Sequence, residues 1–385
     1  MSKSTIGSKL LNYIDVILLF IICTGMFSYL IQQPSSDIAV HMKQIQHINI
    51  YDVSYPANFL FYFIVNLCAG FTNGKLLYVV TVVLLSLACI GKYLISKYFI
   101  ISFNLQFNHS VLNNKTLLVS TLALFFCFAI PDPFSIFVLK KMYISKFVPL
   151  VWHNSTTIFL FPFAILLFWK QLQILDTKHK ANINEIIALN TLVLINLLIK
   201  PSFIFTYAPV TFFFLWKKGH LNKNGLLKLS PFFTIGLVLT LQYYFIFVKQ
   251  QGSFYNDVSK VMLGKPFEFM LNFVPAWFIP VSLIFSFAFI LFAMMAYKEI
   301  LNFTPFKYAL TLTVVGIIIS AFLIETGPRA LHGNFIWQNV ICTYLLFLTS
   351  VSYFVPRLLS QKVWFFKDKI LAISSPAMTL TANIS

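Results

Sequence analysis

Long apolar runs recur along the whole sequence and constrain its fold more than any other feature. Most of them approach the roughly 20 residues that a helix needs to cross a bilayer. The runs span approximately residues 14–32, 56–71, 76–100, 116–130, 155–171, 185–200, 201–216, 228–249, 274–297, 305–324 and 335–355. Because helices satisfy their own backbone hydrogen bonds in lipid, the runs predict an all-α, polytopic transmembrane bundle of about 10–11 membrane helices. We expect residues 1–385 to form a single integral membrane domain.

The composition excludes an ordinary soluble protein. Charged residues make up 10% of the chain, against about 25% in typical domains, and the mean hydropathy is +0.82. The net charge of +17 would suggest a nucleic-acid partner in a soluble protein. In a membrane protein it reflects basic cytoplasmic loops instead, so we expect membrane lipids and no nucleic acid as partners. The five cysteines lie inside apolar runs without the spacing of a metal site or a catalytic pair.

Lysine and arginine set the predicted orientation. The basic segment 217–228 is the strongest cytoplasmic mark, and alternating the loops from it puts most basic residues and both termini inside. Inside termini require an even number of crossings, whereas eleven runs are present. The short run 56–71 begins at Tyr55-Pro56, so we interpret it as re-entrant or as parallel to the membrane on the outer side. The alternative is that it crosses and that a neighbouring segment does not.

Four segments then place unusual polar residues on the outer side. In the first, Asp37 and His41 are four residues apart and would share one face of a helix. Asp37 has the chemistry of a general base, or of a metal ligand assisted by His41. The alternative is that Asp37 only caps a short interfacial helix.

The second and third outer segments supply hydrogen-bonding and cationic groups. His153 and Asn154 can bind substrate hydroxyls or phosphate oxygens, or Asn154 can simply cap the next helix. Lys200 lies in a tight reversal between two apolar runs, where a cation is costly unless it is paired or used. It can bind an anionic phosphate, or it can extend to the interface with no further role.

The fourth outer segment runs from Glu325 to Asn334 and packs an acid, an arginine, a histidine and an asparagine into ten residues. Arg329 can hold a phosphate or a carboxylate through two hydrogen bonds, and Glu325 can orient it, act as an acid or base, or merely pair with it. His332 and Asn334 complete the predicted polar wall. We expect Arg329 to face the same cavity as Asp37.

Several function classes lack their sequence signatures. The chain has no phosphate-binding loop, dinucleotide fingerprint, zinc spacing or nucleophile elbow. It also has no arginine ladder and no selectivity filter, which disfavours a voltage sensor or an ion channel.

An acid in the first outer loop of a many-helix membrane protein resembles the GT-C superfamily of integral-membrane glycosyltransferases. Asp37 with His41 is similar to the first-loop motif of that superfamily, and Tyr55-Pro56 resembles the proline-marked segment that often follows it. The pieces 151–156 and 325–337 resemble blocks in bacterial members that are associated with surface polysaccharide synthesis. The likeness extends to the architecture of most of the chain.

The resemblance implies a GT-C-like fold and an enzyme in the bacterial cytoplasmic (inner) membrane. Its donor would be a sugar linked to a polyprenyl phosphate, and its acceptor a glycan or a lipid-linked sugar on the non-cytoplasmic face. Asp37 would deprotonate the acceptor hydroxyl, and Lys200 with Arg329 would neutralise the departing lipid phosphate. The residues that would position donor or acceptor are His41, His153 and Asn154. Because a single Asp stands where Asp-Asp or Asp-Glu is commonest, a requirement for a divalent metal (Mg²⁺ or Mn²⁺) is left open.

Two other functions remain as alternatives. A polysaccharide polymerase or ligase usually depends on arginines in large outer loops, and only Arg329 is available on that side. A flippase for lipid-linked oligosaccharides, or another transporter, should place charges along its interior path, whereas the predicted site clusters at one face.

Overall fold

The computed structural model is a bundle of helices whose bounds follow the apolar runs. The structure describes residues 13–34, 36–106, 114–127, 137, 140, 147–176, 181–220, 227–249, 260–327, 330, 331 and 333–360. The helices are α1 (Ile14–Leu30), α2 (Asp37–Tyr51), α3 (Leu60–Cys68), α4 (Lys75–Gln106), α5 (Asn114–Phe125), α6 (Ser155–Leu175), α7 (Ile183–Ile199), α8 (Ser202–Lys217), α9 (Ser230–Tyr243), α10 (Glu268–Leu271), α11 (Phe278–Ala296), α12 (Thr304–Phe322) and α13 (Trp337–Ser360). A π-helical turn, Tyr244–Val248, continues α9, and a 3₁₀ turn, Lys298–Asn302, precedes α12.

Six helices in the described part of the chain are long and apolar enough to cross a membrane. They are α4, α6, α9 with its extension, α11, α12 and α13, and the apolar helices α1, α5 and α7 are shorter. The prediction of an all-α membrane bundle is therefore confirmed at this coarser level, and the count of 10–11 crossings stays a prediction.

The run 56–71 contains only the nine-residue helix α3. At about 1.5 Å per residue this helix is about 14 Å long, less than half of the roughly 30 Å hydrocarbon core. Helix α3 cannot cross a bilayer by itself, which agrees with the interpretation of this run as re-entrant or interfacial.

Helix α13 is the central element of the bundle. In its span, 89% of the residues are buried, against 17% in the span that contains α9. It packs against α12, α4, α8, α11 and α6, which explains how a helix so rich in polar residues is accommodated. Its buried polar side chains face other helices.

Helices α6 and α7 form an antiparallel pair that relates the two ends of the bundle. Asn154 precedes α6 and Lys200 follows α7, so both lie at one end, here called the site end. Asp176 and Glu185 lie at the opposite end, where they line an open cleft of about 820 Å³. A two-stranded antiparallel ladder of β1 (Val261–Leu263) and β2 (Leu323–Glu325) follows α12.

Candidate functional site

Asp37 is the first residue of α2, but another residue caps that helix. The side chain of Ser36 accepts a hydrogen bond from the backbone N–H of Ile38 at 3.3 Å, as a helix N-cap does. The carboxylate of Asp37 is therefore not used for capping and instead accepts a 2.7 Å hydrogen bond from Nδ2 of Asn154. Burial raises the pKa of Asp37, and the positive charge of Lys200 and this hydrogen bond act in the opposite sense.

Asn154 joins Asp37 to Lys200 through its one side-chain amide. It caps α6, because Oδ1 accepts from the backbone N–H of Thr157 at 3.0 Å. The same Oδ1 accepts from Nζ of Lys200 at 3.0 Å and from the hydroxyl of Thr156 at 3.2 Å. Since one side of the amide meets only donors and the other meets a carboxylate, its orientation is fixed chemically.

Lys200 is turned into the protein rather than towards the interface. It is 7% exposed, and Nζ also donates to the hydroxyls of Thr157 at 3.1 Å and Thr156 at 3.3 Å. The amine lies 5.0 Å from the centre of the Trp337 ring. Burial lowers the pKa of Lys200 to about 7, with the charge of Asp37 acting in the opposite sense. This geometry excludes the alternative in which Lys200 extends to the interface.

The two predicted histidines flank this network. Nδ1 of His41 is 2.5 Å from the hydroxyl of Ser155, the first residue of α6. Asp37 and His41 therefore share the face of α2 that meets the start of α6. The ring of His153 packs edge-on against Trp337 at 5.4 Å, and burial, followed by the charge of Lys200, lowers its pKa to about 4. His153 is consequently a neutral imidazole at pH 7.

Glu325 and Asn334 line a neighbouring pocket. Nδ2 of Asn334 donates to Oε2 of Glu325 at 2.5 Å, and both residues line a small pocket with Phe269 and Ser320. None of the described residues that line this pocket belongs to the network of Asp37, Asn154 and Lys200. Arg329 and His332 lie outside the described residues, so the expectation that Arg329 faces Asp37 stays a prediction.

Three contributors to the site were missed from the sequence. Thr156 and Thr157 bind Lys200, and the ring of Trp337 covers it. The sequence could have indicated the two threonines. They closely follow the N-cap residue Asn154, so they lie in the first turn of the helix, close to the capping side chain. Trp337 follows the predicted polar wall by three residues, and its position over Lys200 depends on tertiary packing.

The network brings an acid, an amine and hydroxyl groups to one end of the bundle. A buried carboxylate with a raised pKa is a better proton acceptor than an exposed one, and an amine beside it can neutralise an oxyanion. No group of three or more His, Cys, Asp or Glu side chains among the described residues could hold a metal ion. A dependence on Mg²⁺ or Mn²⁺ stays open.

Comparisons of the chain with protein-family models, with curated proteins and with solved structures found no match. The function must therefore be argued from the residues of the site and from the resemblance in the sequence.

Proposed function

We propose that the protein is a glycosyltransferase that moves a sugar from a polyprenyl-phosphate-linked donor to an acceptor on the non-cytoplasmic face of the membrane. The observation that carries the proposal is the shared amide of Asn154, which holds the carboxylate of Asp37 and the amine of Lys200 in one buried network. Inverting sugar transfer from a lipid phosphate needs these two groups, a base for the acceptor and a cation for the leaving group.

In the proposed step, Asp37 takes the proton of the acceptor hydroxyl. The acceptor oxygen then forms a bond to the anomeric carbon of the sugar, and the bond between that carbon and the phosphate oxygen breaks. The lipid phosphate leaves with the bonding electrons, and Lys200 in its protonated form neutralises it. An arriving phosphate favours that protonated form, because a nearby opposite charge raises the pKa of an amine.

The remaining partners have positioning roles in this proposal. His41 and Ser155 form a hydrogen-bonded pair at 2.5 Å, and His153 packs on Trp337. Neither histidine carries the reaction. They shape the walls against which a sugar would lie, and an aromatic face such as that of Trp337 suits the apolar side of a sugar ring.

Transfer of a labelled sugar in proteoliposomes tests the proposal. The protein is supplied with radiolabelled polyprenyl-phosphate hexoses and a mixed glycan acceptor, and Asp37→Asn is compared with Asp52→Asn. Asp52 is exposed and follows the other end of α2, so the control makes the same charge change on the same segment. We expect Asp37→Asn to abolish transfer and Asp52→Asn to preserve it. Transfer that survives in Asp37→Asn would exclude Asp37 as the base.

The outer-face assignment has its own test. Lys43 and Lys217 are both exposed and are predicted to lie on opposite sides of the membrane. Each is replaced by cysteine after Cys68→Ser, and intact cells are treated with a membrane-impermeant thiol reagent. We expect the cysteine at position 43 to react from outside and the one at position 217 to react only after permeabilisation. The reverse pattern would place the site on the cytoplasmic face.

Transport of a lipid-linked sugar is the second candidate, and one observation favours it. Lys92 is 6% exposed within the long helix α4, so at least one charge-bearing residue lies in the interior of the bundle and not at the site end. If the wild-type protein transfers no sugar but moves labelled donor across the bilayer, transport replaces transfer as the function.

A further inference from the structure

Three buried oxygen atoms in the first two turns of α13 lack hydrogen-bond partners among the described residues. They are Oε1 of Gln338, Oδ1 of Asn339 and Oγ1 of Thr343, and all three side chains are 0% exposed. Buried polar groups in native proteins almost always have a partner, either protein or ordered water. Three unpaired oxygens within two turns of one helix therefore call for an explanation.

The orientation of the two amides is fixed by what their nitrogen atoms bind. Nε2 of Gln338 donates to the backbone oxygen of Gly316 at 3.2 Å, which accepts only. Nδ2 of Asn339 donates to the hydroxyl of Ser320 at 2.7 Å, and that hydroxyl donates its own proton to the backbone oxygen of Ile317. Exchanging N and O in either amide would place its oxygen against another acceptor, the backbone oxygen of Gly316 or the hydroxyl oxygen of Ser320. The amide atoms without partners are therefore acceptors.

These oxygens belong to the first two turns of α13, at the site end of the helix. Trp337, whose ring covers Lys200, directly precedes Gln338. Asn339 and Thr343 are four residues apart and share a face of α13. Tyr344 follows Thr343, and its hydroxyl and ring contact Ser96 at 2.8 Å and the amine of Lys92 at 4.1 Å. Trp337 and Tyr344 are seven residues apart and share the face of α13 that meets the two amines, whereas Asn339 faces Gly316 and Ser320 of α12.

The remaining polar residues of α13 provide an internal comparison. Thr349, Ser350 and Ser352 are equally buried, but each donates to a backbone oxygen of its own helix. The unpaired acceptors are confined to the turns nearest the site end, so they do not reflect a general property of this helix.

We propose that this part of α13 holds an internal water site at the unpaired oxygens of Gln338, Asn339 and Thr343. Water fits the chemistry because it donates two hydrogen bonds to amide oxygens and also accepts one from a hydroxyl. A metal cation fits less well, because the three ligands are uncharged and the amine of Lys200 lies beside the neighbouring Trp337. The site does not depend on glycosyl transfer, and its test needs no substrate.

Radiolytic labelling of the full-length protein in H₂¹⁸O tests the proposal directly. X-ray pulses turn bound water into hydroxyl radicals, which oxidise side chains within a few ångströms before they diffuse. Cys342 lies beside Thr343 and is 0% exposed, as is Cys23 on α1, so the two thiols form a matched pair. We expect Cys342 to take up ¹⁸O several-fold faster than Cys23. Equal rates would overturn the proposal.

A substitution of nearly constant shape gives an independent measurement. Thr343→Val removes the hydroxyl at the proposed site, and Thr349→Val removes one that is paired with the backbone. If Thr343 binds water, its replacement lowers the unfolding temperature in detergent at least as much as Thr349→Val does. If the hydroxyl is dry and unpaired, its replacement by an apolar group raises the unfolding temperature, which would contradict the water site. Both variants are expected to fold, because threonine and valine have nearly the same volume.

Discussion

Asp37 and Lys200 come from distant parts of the chain, yet they bind opposite sides of the same amide, that of Asn154. The carboxylate accepts from Nδ2 at 2.7 Å, and the amine donates to Oδ1 at 3.0 Å. The amide lies between the two charged groups and orients both of them. A direct ion pair would instead make each charge the other's main partner. A base and an anion-binding cation are thereby kept next to each other and remain able to act on a substrate.

The bridging role of Asn154 predicts a larger loss of stability than a helix cap alone accounts for. Asn182 caps α7 through the backbone N–H of Glu185 but joins no charges, so Asn182→Ala is the matched control. We expect about 1 kcal/mol for that lost cap. We expect about 3 kcal/mol or more for Asn154→Ala, because it also removes the hydrogen bond to the buried carboxylate of Asp37 and one of the three acceptors of Lys200. Thermal unfolding in detergent measures both. Equal losses would show that Asn154 acts only as a cap.

The pKa of Lys200 predicts how stability depends on pH. Its pKa falls from 10.5 to about 7 on folding, so between these values the unfolded chain binds more protons, and stability rises with pH. Below pH 7 the cost of burying the charge is fully present, and above 10.5 it is absent. We expect Lys200→Met to reduce the rise in unfolding temperature between pH 7 and pH 10.

Lys43→Met is the control for this pH series, because Lys43 is exposed on α2. It removes the same charge without removing a buried amine. The difference between wild type and each variant at every pH isolates Lys200 from the other titrating groups. A pH profile of Lys200→Met that superimposes on that of wild type would contradict the assignment.

The ring of Trp337 should stabilise the protonated form of Lys200. A cation over the face of an aromatic ring gains roughly 0.5–2 kcal/mol, with tryptophan the most effective residue. We expect Trp337→Leu to reduce both sugar transfer and stability, and Trp337→Phe to retain part of each. Trp216 is 62% exposed, so Trp216→Leu controls for the loss of a tryptophan. Transfer by Trp337→Leu at the wild-type rate would remove Trp337 from the site.

The features of the fold and the site that depend on local sequence patterns were predictable from the sequence. The spacing of Asp37 and His41 predicted a shared helical face, and both side chains do meet the start of α6. The long apolar helices were predicted from hydropathy, because crossing lipid requires long apolar segments, whereas α2 lies outside the apolar runs. Alternation of the loops predicted that Asp37, Asn154 and Lys200 lie on one side of the membrane, and in the structure these three residues meet.

What the sequence did not predict depends on packing between distant elements. The position of Trp337 over Lys200 requires α13 to pass beside the turn between α7 and α8, and no local pattern encodes that. Glu325 and Asn334 were expected in the same wall as Asp37, whereas they pair with each other in a neighbouring pocket. The polarity of this stretch carried no information about which way Glu325 and Asn334 point.

Lys92 is buried without an acidic partner among the described residues, so its environment differs from that of a buried ion pair. Its amine lies over the rings of Tyr344, Phe161 and Phe125 at 4.1, 4.6 and 5.5 Å, and it donates to the backbone oxygen of Phe125 at 3.5 Å. No salt bridge to Lys92 occurs among the residues that the structure describes. Replacing it by methionine therefore leaves no buried anion behind, and well-packed apolar groups often replace buried charges without loss. We expect Lys92→Met to unfold at or above the wild-type temperature.

Lys97 on the same helix gives the contrast. Its amine pairs with Asp15 at 2.9 Å, so Lys97→Met leaves a partly buried carboxylate with one partner fewer and should destabilise the protein. The two variants also separate the candidate functions. If the protein transfers sugars, Lys92→Met keeps its activity, because Lys92 is remote from the base. If the protein transports them, loss of activity in Lys92→Met with an unchanged unfolding temperature would assign Lys92 to the transport path.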